Sequence, residues 1–369
     1  MTAPVAFTAV PDWVRALRTY EPGRPLEDVA RDLGLPGIEG IAKLASNEAP
    51  LGPSPKAVAA MRAAAARMHL YPDGYAHALR ARLADRLGVG PDHLLFGNGS
   101  NELIELLFHA LAAPGAEVVA SECAFLVYKL VAAAFQIRFI EAPMRDLTHD
   151  LEAMAAAITP DTRLVFVANP NNPTGTRVAN ADLDRFIEGL PEHVVVAVDE
   201  AYAELLDPED QPDTLRHVRA GRPVVVLRTF SKTYGLAGLR LGYAIARPAG
   251  IQLLERFRQP FNVNAMAQAA AVAALEDEAF LEETRRTVRE GRAWMERALH
   301  EAGFETVPSE ANFLLVKTGA GRETFQALMR ERIIVRPLDA YGLPDHIRVT
   351  IGRPEENRRF VEALAGLRV

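Results

Sequence analysis

The stretch RTFSKTYGLAGLRLGY, residues 228–243, holds side chains whose types and spacing could do chemistry. Its lysine, Lys232, follows the apolar run PVVVL, which is typical of a buried strand, and precedes three glycines. A lysine held at a strand end loses solvation, which lowers its pKa from about 10.4 and makes the neutral amine accessible. A neutral amine is the nucleophile that forms a Schiff base with an aldehyde. The pair Ser231-Lys232 by itself also fits a surface loop.

A carboxylate, Asp199, follows another apolar run, VVVAV, and therefore begins partly buried. A buried carboxylate is costly unless a cation or strong hydrogen-bond donors compensate it. One interpretation is that Asp199 caps a helix that begins at Ala201. The other is that Asp199 faces a positive group on a ligand.

Residues of types that bind phosphate lie near the ends of the same predicted strands. The segment GNGS presents backbone N–H groups at a predicted helix start, where Ser100 and Asn101 are favourable N-terminal residues. Thr229 and Ser231 add hydroxyls, and Arg240 adds a fixed positive fork. GNGSNE lacks the third glycine of a dinucleotide fingerprint, and a capped helix explains it about as well.

Short, nearly continuous apolar segments alternate with helical segments from about residue 93 to residue 246. This alternation predicts an α/β fold with a mainly parallel, doubly wound sheet that is covered by helices on both faces. Ligands of such sheets bind beyond the carboxyl ends of the strands. The polar segments GNGSNE, NPNNPTG, DEAY and RTFSK each follow a predicted strand, so we expect them to converge on one crevice.

The pattern changes near residue 261, where a long helical region leads into short strands and further helices. We expect a smaller α+β domain at residues 261–369 and a large ligand-binding domain at residues 46–260. The N-terminal segment, residues 1–45, is expected to pack on the small domain and on the site.

Composition excludes several classes of protein. With 369 residues and a net charge of −7, the chain lacks the clustered positive charge of a nucleic-acid binder. Its one cysteine, Cys123, excludes an internal disulfide, and its nine histidines form no HExxH or similar motif, so no metal is predicted. The N-terminus has no signal-peptide pattern, and no apolar run approaches the roughly 20 residues of a membrane span. We therefore expect a cytoplasmic protein that does not enter a membrane.

An aromatic cofactor that carries an aldehyde, a ring nitrogen and one phosphate accounts for all these groups together, and pyridoxal 5′-phosphate is such a cofactor. The chain resembles the fold-type I, class II aminotransferases and, among them, the histidinol-phosphate aminotransferases. The resemblance covers about residues 40–353 and rests on KLASNEAPLGPSP, YPDG, GNGSNELIE, NPNNPTG, VDEAY, RTFSKTYGLAGLRLGY and IRVTIG. It implies conversion of imidazole acetol phosphate and L-glutamate to L-histidinol phosphate and 2-oxoglutarate, a step of histidine biosynthesis.

The resemblance also implies a role for each matching residue around the cofactor. Lys232 would hold the cofactor as a Schiff base and then move a proton, and Asp199 would pair with the protonated ring nitrogen. Tyr202 and Asn172 would hydrogen-bond the 3-oxygen of the ring. Phe125 would stack on the ring, although plain core packing also explains this residue. The phosphate would be held by Ser100, Asn101, Thr229, Ser231 and Arg240.

Substrate and subunit contacts follow from the same resemblance. Arg348, in HIRVTIG, would grip a substrate carboxylate or phosphate, and Arg336, in IIVRP, would be a second anion contact. Solvated strand-edge charges are the alternative for both. Tyr71, in YPDG, would reach the cofactor phosphate of a neighbouring subunit, so a homodimer is implied. Three further residues would line the substrate pocket: Asn47, Asn172 and Tyr20.

Departures from the family pattern leave the cofactor groups untouched. Ala49 stands where the family commonly has asparagine, which bears on how the N-terminal segment closes over substrate, and Cys123-Ala124 replaces the usual Pro-Thr. An aromatic or broad-range aminotransferase, or a threonine-phosphate decarboxylase, would share the cofactor residues. A non-catalytic module of this fold, such as a regulator's sensing domain, would need a DNA-binding appendage for which we expect no room.

Overall fold

The computed structural model describes residues 10–19 and 23–367. The strands are β1 (Ala42–Lys43), β2 (Leu94–Gly97), β3 (Glu117–Ser121), β4 (Arg138–Ala142), β5 (Met144–Arg145), β6 (Thr148–His149), β7 (Thr162–Ala168), β8 (Val195–Asp199), β9 (Val224–Thr229), β10 (Gly242–Ala246), β11 (Glu305–Val307), β12 (Phe313–Lys317), β13 (Ile333–Ile334), β14 (Arg336–Pro337) and β15 (His346–Thr350).

The α-helices are α1 (Asp12–Arg15), α2 (Leu26–Asp32), α3 (Pro55–Ala65), α4 (His77–Leu87), α5 (Gly99–Leu111), α6 (Leu126–Ala134), α7 (Leu151–Ala156), α8 (Asn180–Gly189), α9 (Leu215–Arg219), α10 (Pro248–Glu255), α11 (Ala265–Leu275), α12 (Glu278–Glu301), α13 (Gly321–Arg330) and α14 (Pro354–Gly366). Short 3-10 helices span Pro91–His93, Ala203–Leu205, Ala237–Leu239 and Asp339–Tyr341.

The main sheet of the described residues has seven strands in the order β2-β10-β9-β8-β7-β3-β4. Strand β10 runs antiparallel to both of its neighbours, and the other pairings are parallel. Alternate residues of β9 enter different hydrophobic clusters: Val226 packs with α11, while Val225 and Leu227 pack with α5. Both faces are thus covered by helices, which explains the continuous apolar strands. The predicted α/β fold with a mainly parallel sheet is confirmed.

A second, four-stranded antiparallel sheet has the order β11-β12-β15-β14. It packs in a separate cluster with α12, α13 and α14. Strand β1 pairs in parallel with β13, and Val29 of α2 packs with Ala45 and Ile334. Helix α2 and strand β1 of the N-terminal segment therefore contact this smaller unit.

Helix α11 comes after the expected domain boundary at residue 261 in the sequence, but it packs with the main sheet and not with the smaller unit. Its alanines, among them Ala267 and Ala270, are buried in the cluster of the seven-stranded sheet, and α11 packs on α3. The helical conformation is then interrupted at Glu276 and Asp277, and α12 begins at Glu278. A helix of small apolar residues has no polar face, so its sequence pattern could not say which layer it covers. We propose that the boundary between the two units lies between α11 and α12.

In the ranges 10–19 and 23–367, no helix combines the length and the apolarity that crossing a bilayer requires.

Candidate active site

A cavity of about 400 Å³ lies at the carboxyl ends of β7, β8 and β9, between the main sheet and the smaller unit. The structure brings most of the predicted site residues to its wall. These are Asn47, Ser100, Asn101, Phe125, Asn172, Asp199, Tyr202, Thr229, Ser231, Lys232, Arg240, Arg336 and Arg348.

Lys232 follows β9 and reaches into the middle of this cavity. Its Nζ donates a hydrogen bond to the Ser46 carbonyl over 3.2 Å and lies 5.7 Å from the centroid of the Tyr202 ring. Burial, followed by the positive charge of Arg348, lowers the pKa of Lys232 to about 8. Roughly a tenth of the amine is therefore neutral at pH 7, against well under a thousandth for an ordinary lysine.

One glycine after Lys232 is required by the packing of its loop. Gly235 adopts a φ of +67°, and a Cβ at this position would lie 2.2 Å from the Gly52 carbonyl oxygen. Its N–H donates to the Lys232 carbonyl over 2.9 Å. The loop can thus fold tightly against the segment around Gly52 only because residue 235 has no side chain.

Replacing Lys232 with methionine is expected to stabilise the cofactor-free protein by about 1–2 kcal/mol at pH 7. The pKa is about 8 in the folded protein against 10.5 for an ordinary lysine, so folding disfavours the proton. In the wild-type protein, the free energy of unfolding is therefore highest above about pH 10.5, where Lys232 is neutral in both states. It falls as the pH falls, and the loss is complete below about pH 8. The full shift corresponds to about 3 kcal/mol, and losing the hydrogen bond to Ser46 offsets about 1 kcal/mol of the gain.

Urea unfolding at about pH 7 and about pH 10.5 measures this effect. The gain should be present at the lower pH and absent at the higher one. Lys56→Met is the matched control, because Lys56 is exposed and donates only to the Glu276 carbonyl. A gain for Lys232→Met that does not depend on pH, or an equal gain for Lys56→Met, would show that burial of the amine is not its cause.

Asp199 is the last residue of β8 and is 5% exposed. Its Oδ1 accepts the N–H of Ala201 over 3.1 Å, and its Oδ2 accepts the hydroxyl of Tyr128 over 2.7 Å. Burial raises the pKa of Asp199, and these two hydrogen bonds act in the opposite direction. No helix begins at Ala201, so Asp199 caps a turn and not a helix, and it also lines the cavity, where it could face a positive group on a ligand. The sequence analysis assigned no role to Tyr128.

One end of the cavity is built to hold a phosphate-sized anion. Ser100 and Asn101 lie in the first turn of α5, and Thr229 and Ser231 lie after β9. Arg240 has a left-handed backbone, and its Nη2 lies 2.5 Å from where a Cβ on Gly99 would be. A side chain at residue 99 would displace the guanidinium from the helix start. The helix N-terminus and the arginine together favour a bound anion.

The opposite wall connects polar side chains of both units. Asn47 donates from Nδ2 to the Tyr202 hydroxyl over 2.9 Å. Burial raises the pKa of Tyr202 to about 12, which Arg348 and Asn47 oppose. Arg348 donates from Nη1 to Asn172 Oδ1 and from Nη2 to the Ala45 carbonyl over 2.9 Å. Asn172 and Tyr202 thereby face the cavity from fixed positions.

No carboxylate of the described residues lies within 4.0 Å of Arg348 to neutralise its charge. Arg348 is 7% exposed, and its Nε has no hydrogen-bond partner in the described part of the chain. Arg336 is its directly opposite neighbour across the β14–β15 pair, and both arginines line the cavity. Like charges opposite each other in a sheet repel, and a buried unpaired charge is costly. A substrate anion would relieve both costs.

Phe125 precedes α6 and lines the cavity, where its ring could cover one face of an aromatic cofactor. Two further lining residues were missed by the sequence analysis. Glu48 pairs with Lys43 over 2.6 Å at the mouth, and Tyr341 belongs to the 3-10 helix Asp339–Tyr341. Tyr341 carries no local sequence signal, because the small unit brings it to the cavity only through tertiary packing.

One predicted residue, Tyr71, is not in this wall. Tyr71 is 82% exposed and stacks on Phe261 at a centroid distance of 4.7 Å. Tyr20 lies outside the described residues. In the described part of the chain, no cluster of three or more histidine, cysteine or acidic side chains is arranged to hold a metal ion. Burial raises the pKa of Cys123 to about 11, so its thiol is not a reactive nucleophile.

Known proteins share this architecture and its sequence. The class I and II aminotransferase family matches residues 39–364. Histidinol-phosphate aminotransferase of Akkermansia muciniphila is 50% identical over 95% of this chain and 96% of its own length. Histidinol-phosphate aminotransferase 1 of Cupriavidus pinatubonensis is 51% identical over 96% of this chain and 95% of its own.

A solved structure extends the comparison to three dimensions. Histidinol-phosphate aminotransferase from Sinorhizobium meliloti, crystallised in complex with pyridoxal-5′-phosphate, has 29% sequence identity. It superposes with a TM-score of 0.88 and covers 98% of both chains. The chain belongs to the histidinol-phosphate aminotransferases, within the class I and II aminotransferase family.

Proposed function

We propose that this protein is a pyridoxal phosphate-dependent aminotransferase that converts imidazole acetol phosphate and L-glutamate to L-histidinol phosphate and 2-oxoglutarate in histidine biosynthesis. The observation that carries the proposal is the shared cavity. It holds a buried amine, a buried carboxylate, an anion cradle at a helix start and two arginines, of which Arg348 has no carboxylate of the described residues within 4.0 Å. The identity of about 50% to two histidinol-phosphate aminotransferases supports the choice of substrate.

The residues present fit pyridoxal phosphate, whose ring withdraws electrons and so stabilises negative charge at the substrate's α-carbon. Lys232 is the amine that would hold the cofactor's aldehyde carbon, and Asp199 would accept a hydrogen bond from the ring nitrogen. Tyr202 and Asn172 would donate toward the ring oxygen, and Phe125 would cover a ring face. The groups that would hold the phosphate are Ser100, Asn101, Thr229, Ser231 and Arg240.

Lys232 is also the proton carrier of the reaction. Its pKa of about 8 places it close to the pH at which an amine both loses and regains a proton readily. Its Nζ takes the proton from the substrate's α-carbon and holds it next to the Tyr202 ring, away from bulk water. Because glutamate leaves its amino group on the holoenzyme and departs as 2-oxoglutarate before the phosphorylated substrate takes up that amino group, ping-pong kinetics are expected.

The arginines recognise the anions of the two substrates. Arg348 binds a carboxylate or a phosphate with a guanidinium that Asn172 and the Ala45 carbonyl already hold in place. Arg336, on the neighbouring strand, adds a second positive charge. This charge favours a substrate with a doubly charged phosphate, such as histidinol phosphate, over a substrate whose side chain is neutral. Asn47 and Tyr20 complete the proposed substrate pocket.

We also propose that the protein works as a cytoplasmic homodimer. Tyr71 and Phe261 form an exposed aromatic pair beside further exposed apolar side chains, Leu70 and Tyr75. Contiguous exposed apolar side chains of this kind are typical of a subunit interface. In a dimer, Tyr71 would reach the cofactor phosphate of the neighbouring subunit.

Turnover with 2-oxoglutarate tests the substrate assignment. The value of kcat/KM for histidinol phosphate should exceed that for phenylalanine by at least about 10²-fold, because phenylalanine offers the arginines one singly charged carboxylate in place of a doubly charged phosphate. Comparable or greater turnover of phenylalanine would favour an aromatic aminotransferase. Release of carbon dioxide from threonine phosphate without amino transfer would identify a decarboxylase instead.

A further inference from the structure

Tyr128 is a completely buried tyrosine. Among the described residues, its hydroxyl forms a hydrogen bond with one side chain, the carboxylate of Asp199. The hydroxyl donates to Oδ2 over 2.7 Å. The ring of Tyr128 stacks on Phe166 at a centroid distance of 4.2 Å and an interplanar angle of 9°. It also meets the ring of Phe125 edge-on, at 5.6 Å and 90°. One side chain therefore touches both the acid and the ring that line the floor of the cavity.

We propose that Tyr128 is a positioning residue for the cofactor, which keeps Asp199 ionised and aimed at the ring nitrogen and fixes Phe125 against the ring face. The inference depends on pyridoxal phosphate as the cofactor and extends the proposed function to a residue that does not itself line the cavity.

The hydrogen bonds of Asp199 define what the tyrosine contributes. A carboxylate has about four lone-pair sites, of which Ala201 N–H and Tyr128 O–H occupy one on each oxygen. Asp199 lines the cavity, so further sites can accept a hydrogen bond from a ligand there. With one oxygen fixed by the backbone and the other by Tyr128, the carboxylate plane cannot rotate away from the ligand.

The charges around Asp199 explain why a donor is needed. Burial favours the protonated carboxyl, and the neighbouring negative charge of Glu200 acts in the same direction. The Tyr128 hydroxyl, the Ala201 N–H and the positive charge of Lys232 favour the carboxylate. Tyr202 also interacts with Asp199, but as a neutral phenol. A protonated carboxyl has no negative charge to pair with a protonated ring nitrogen, so protons compete with cofactor binding at this residue.

Tyr128→Phe removes the hydroxyl and leaves the ring contacts with Phe125 and Phe166 in place. The experiment measures the Kd of pyridoxal phosphate for the full-length apoprotein by equilibrium dialysis between about pH 6 and about pH 8.5. The ratio of the variant's Kd to that of the wild type cancels the effect of Lys232, which both proteins share. We expect a ratio below about threefold at the upper pH and about tenfold or more at the lower pH, as for a hydrogen bond to a charged group.

Tyr243→Phe is the matched control, because Tyr243 is equally buried and its hydroxyl donates to Glu204 over 3.4 Å. Its Kd ratio should stay near one at every pH. A second arm repeats Tyr128→Phe in an Asp199→Asn background, where residue 199 cannot titrate. There the additional change should be below about twofold at every pH.

A Kd ratio for Tyr128→Phe that is the same at all pH values would overturn the proposal, as would an equal effect in Tyr243→Phe or in the Asp199→Asn background. These results are separable from a failure of the proposed function. If wild-type protein bound no pyridoxal phosphate, or bound it and turned over a different substrate, the wild-type measurements alone would show this.

Discussion

Lys232→Ala should lower kcat for amino transfer by at least about 10⁴-fold, because it removes the group that both holds the cofactor and carries the proton. No other lysine lines the cavity in the described residues, and the nearest cations, Arg348 and Arg240, cannot give up a proton at neutral pH. The loss should therefore appear in both half-reactions, with glutamate and with histidinol phosphate. Single-turnover measurements of each half-reaction would separate the chemical step from substrate binding.

A covalent readout accompanies the kinetic one. Borohydride treatment of the wild-type holoprotein should fix the cofactor to the peptide that contains Lys232, and mass spectrometry detects the added mass. Lys232→Ala should show no such labelling, while Lys56→Ala, a change at an exposed lysine, should show normal labelling and normal turnover. Labelling at a different lysine in the wild type would contradict the assignment of Lys232.

Much of the site could be predicted because parallel strands carry their carboxyl ends to one edge of a sheet. Asp199 ends β8 and Thr229 ends β9, two strands that are paired in parallel in the structure. A polar residue directly after an apolar run is therefore placed next to the corresponding residue of the neighbouring strand, whatever the loops do. This rule needs only the position of each strand end, and the sequence shows those ends clearly.

The parts that could not be predicted depend on packing between distant segments. Tyr128 lies on a helix whose one charged residue is Lys129, and nothing local shows that the Tyr128 hydroxyl meets Asp199. Helix α11 lies in the range given to the smaller domain, whereas its alanines are buried in the cluster of the main sheet, and a helix of alanines would fit either layer. Tyr71 is exposed and does not line the cavity, so the role that the family resemblance implies for it would need a second subunit.

The arginine pair, Arg336 and Arg348, also combines a part that the sequence predicts with a part that only the structure shows. The sequence placed Arg336 and Arg348 on strands, but only the register shows that they lie directly opposite each other. Two like charges in this position repel each other. An anion bound at Arg348 would weaken this repulsion, so we expect substrate binding to favour the arrangement.

Replacing Arg348 with alanine is expected to lower kcat/KM by about 10²–10³-fold for glutamate and for histidinol phosphate alike. Each substrate carries an anion, and the guanidinium is buried, fixed by Asn172 and the Ala45 carbonyl, and without a carboxylate partner within 4.0 Å in the residues described. Its charge is therefore available to a ligand. The change also frees Asn172, which faces the cofactor, so part of the loss should appear in kcat.

Steady-state kinetics with each substrate varied in turn would measure these losses for Arg348→Ala. Arg348→Lys should recover only part of the activity, because an ammonium group cannot hold Asn172, the Ala45 carbonyl and an anion with one planar fork. Arg353→Ala is the control, since Arg353 is exposed and donates from Nε to the Pro50 carbonyl over 3.2 Å close to the same segment. A loss confined to one substrate would assign Arg348 to that anion alone. A similar loss in Arg353→Ala would mean that the N-terminal segment, and not the buried charge, is what the substitution disturbs.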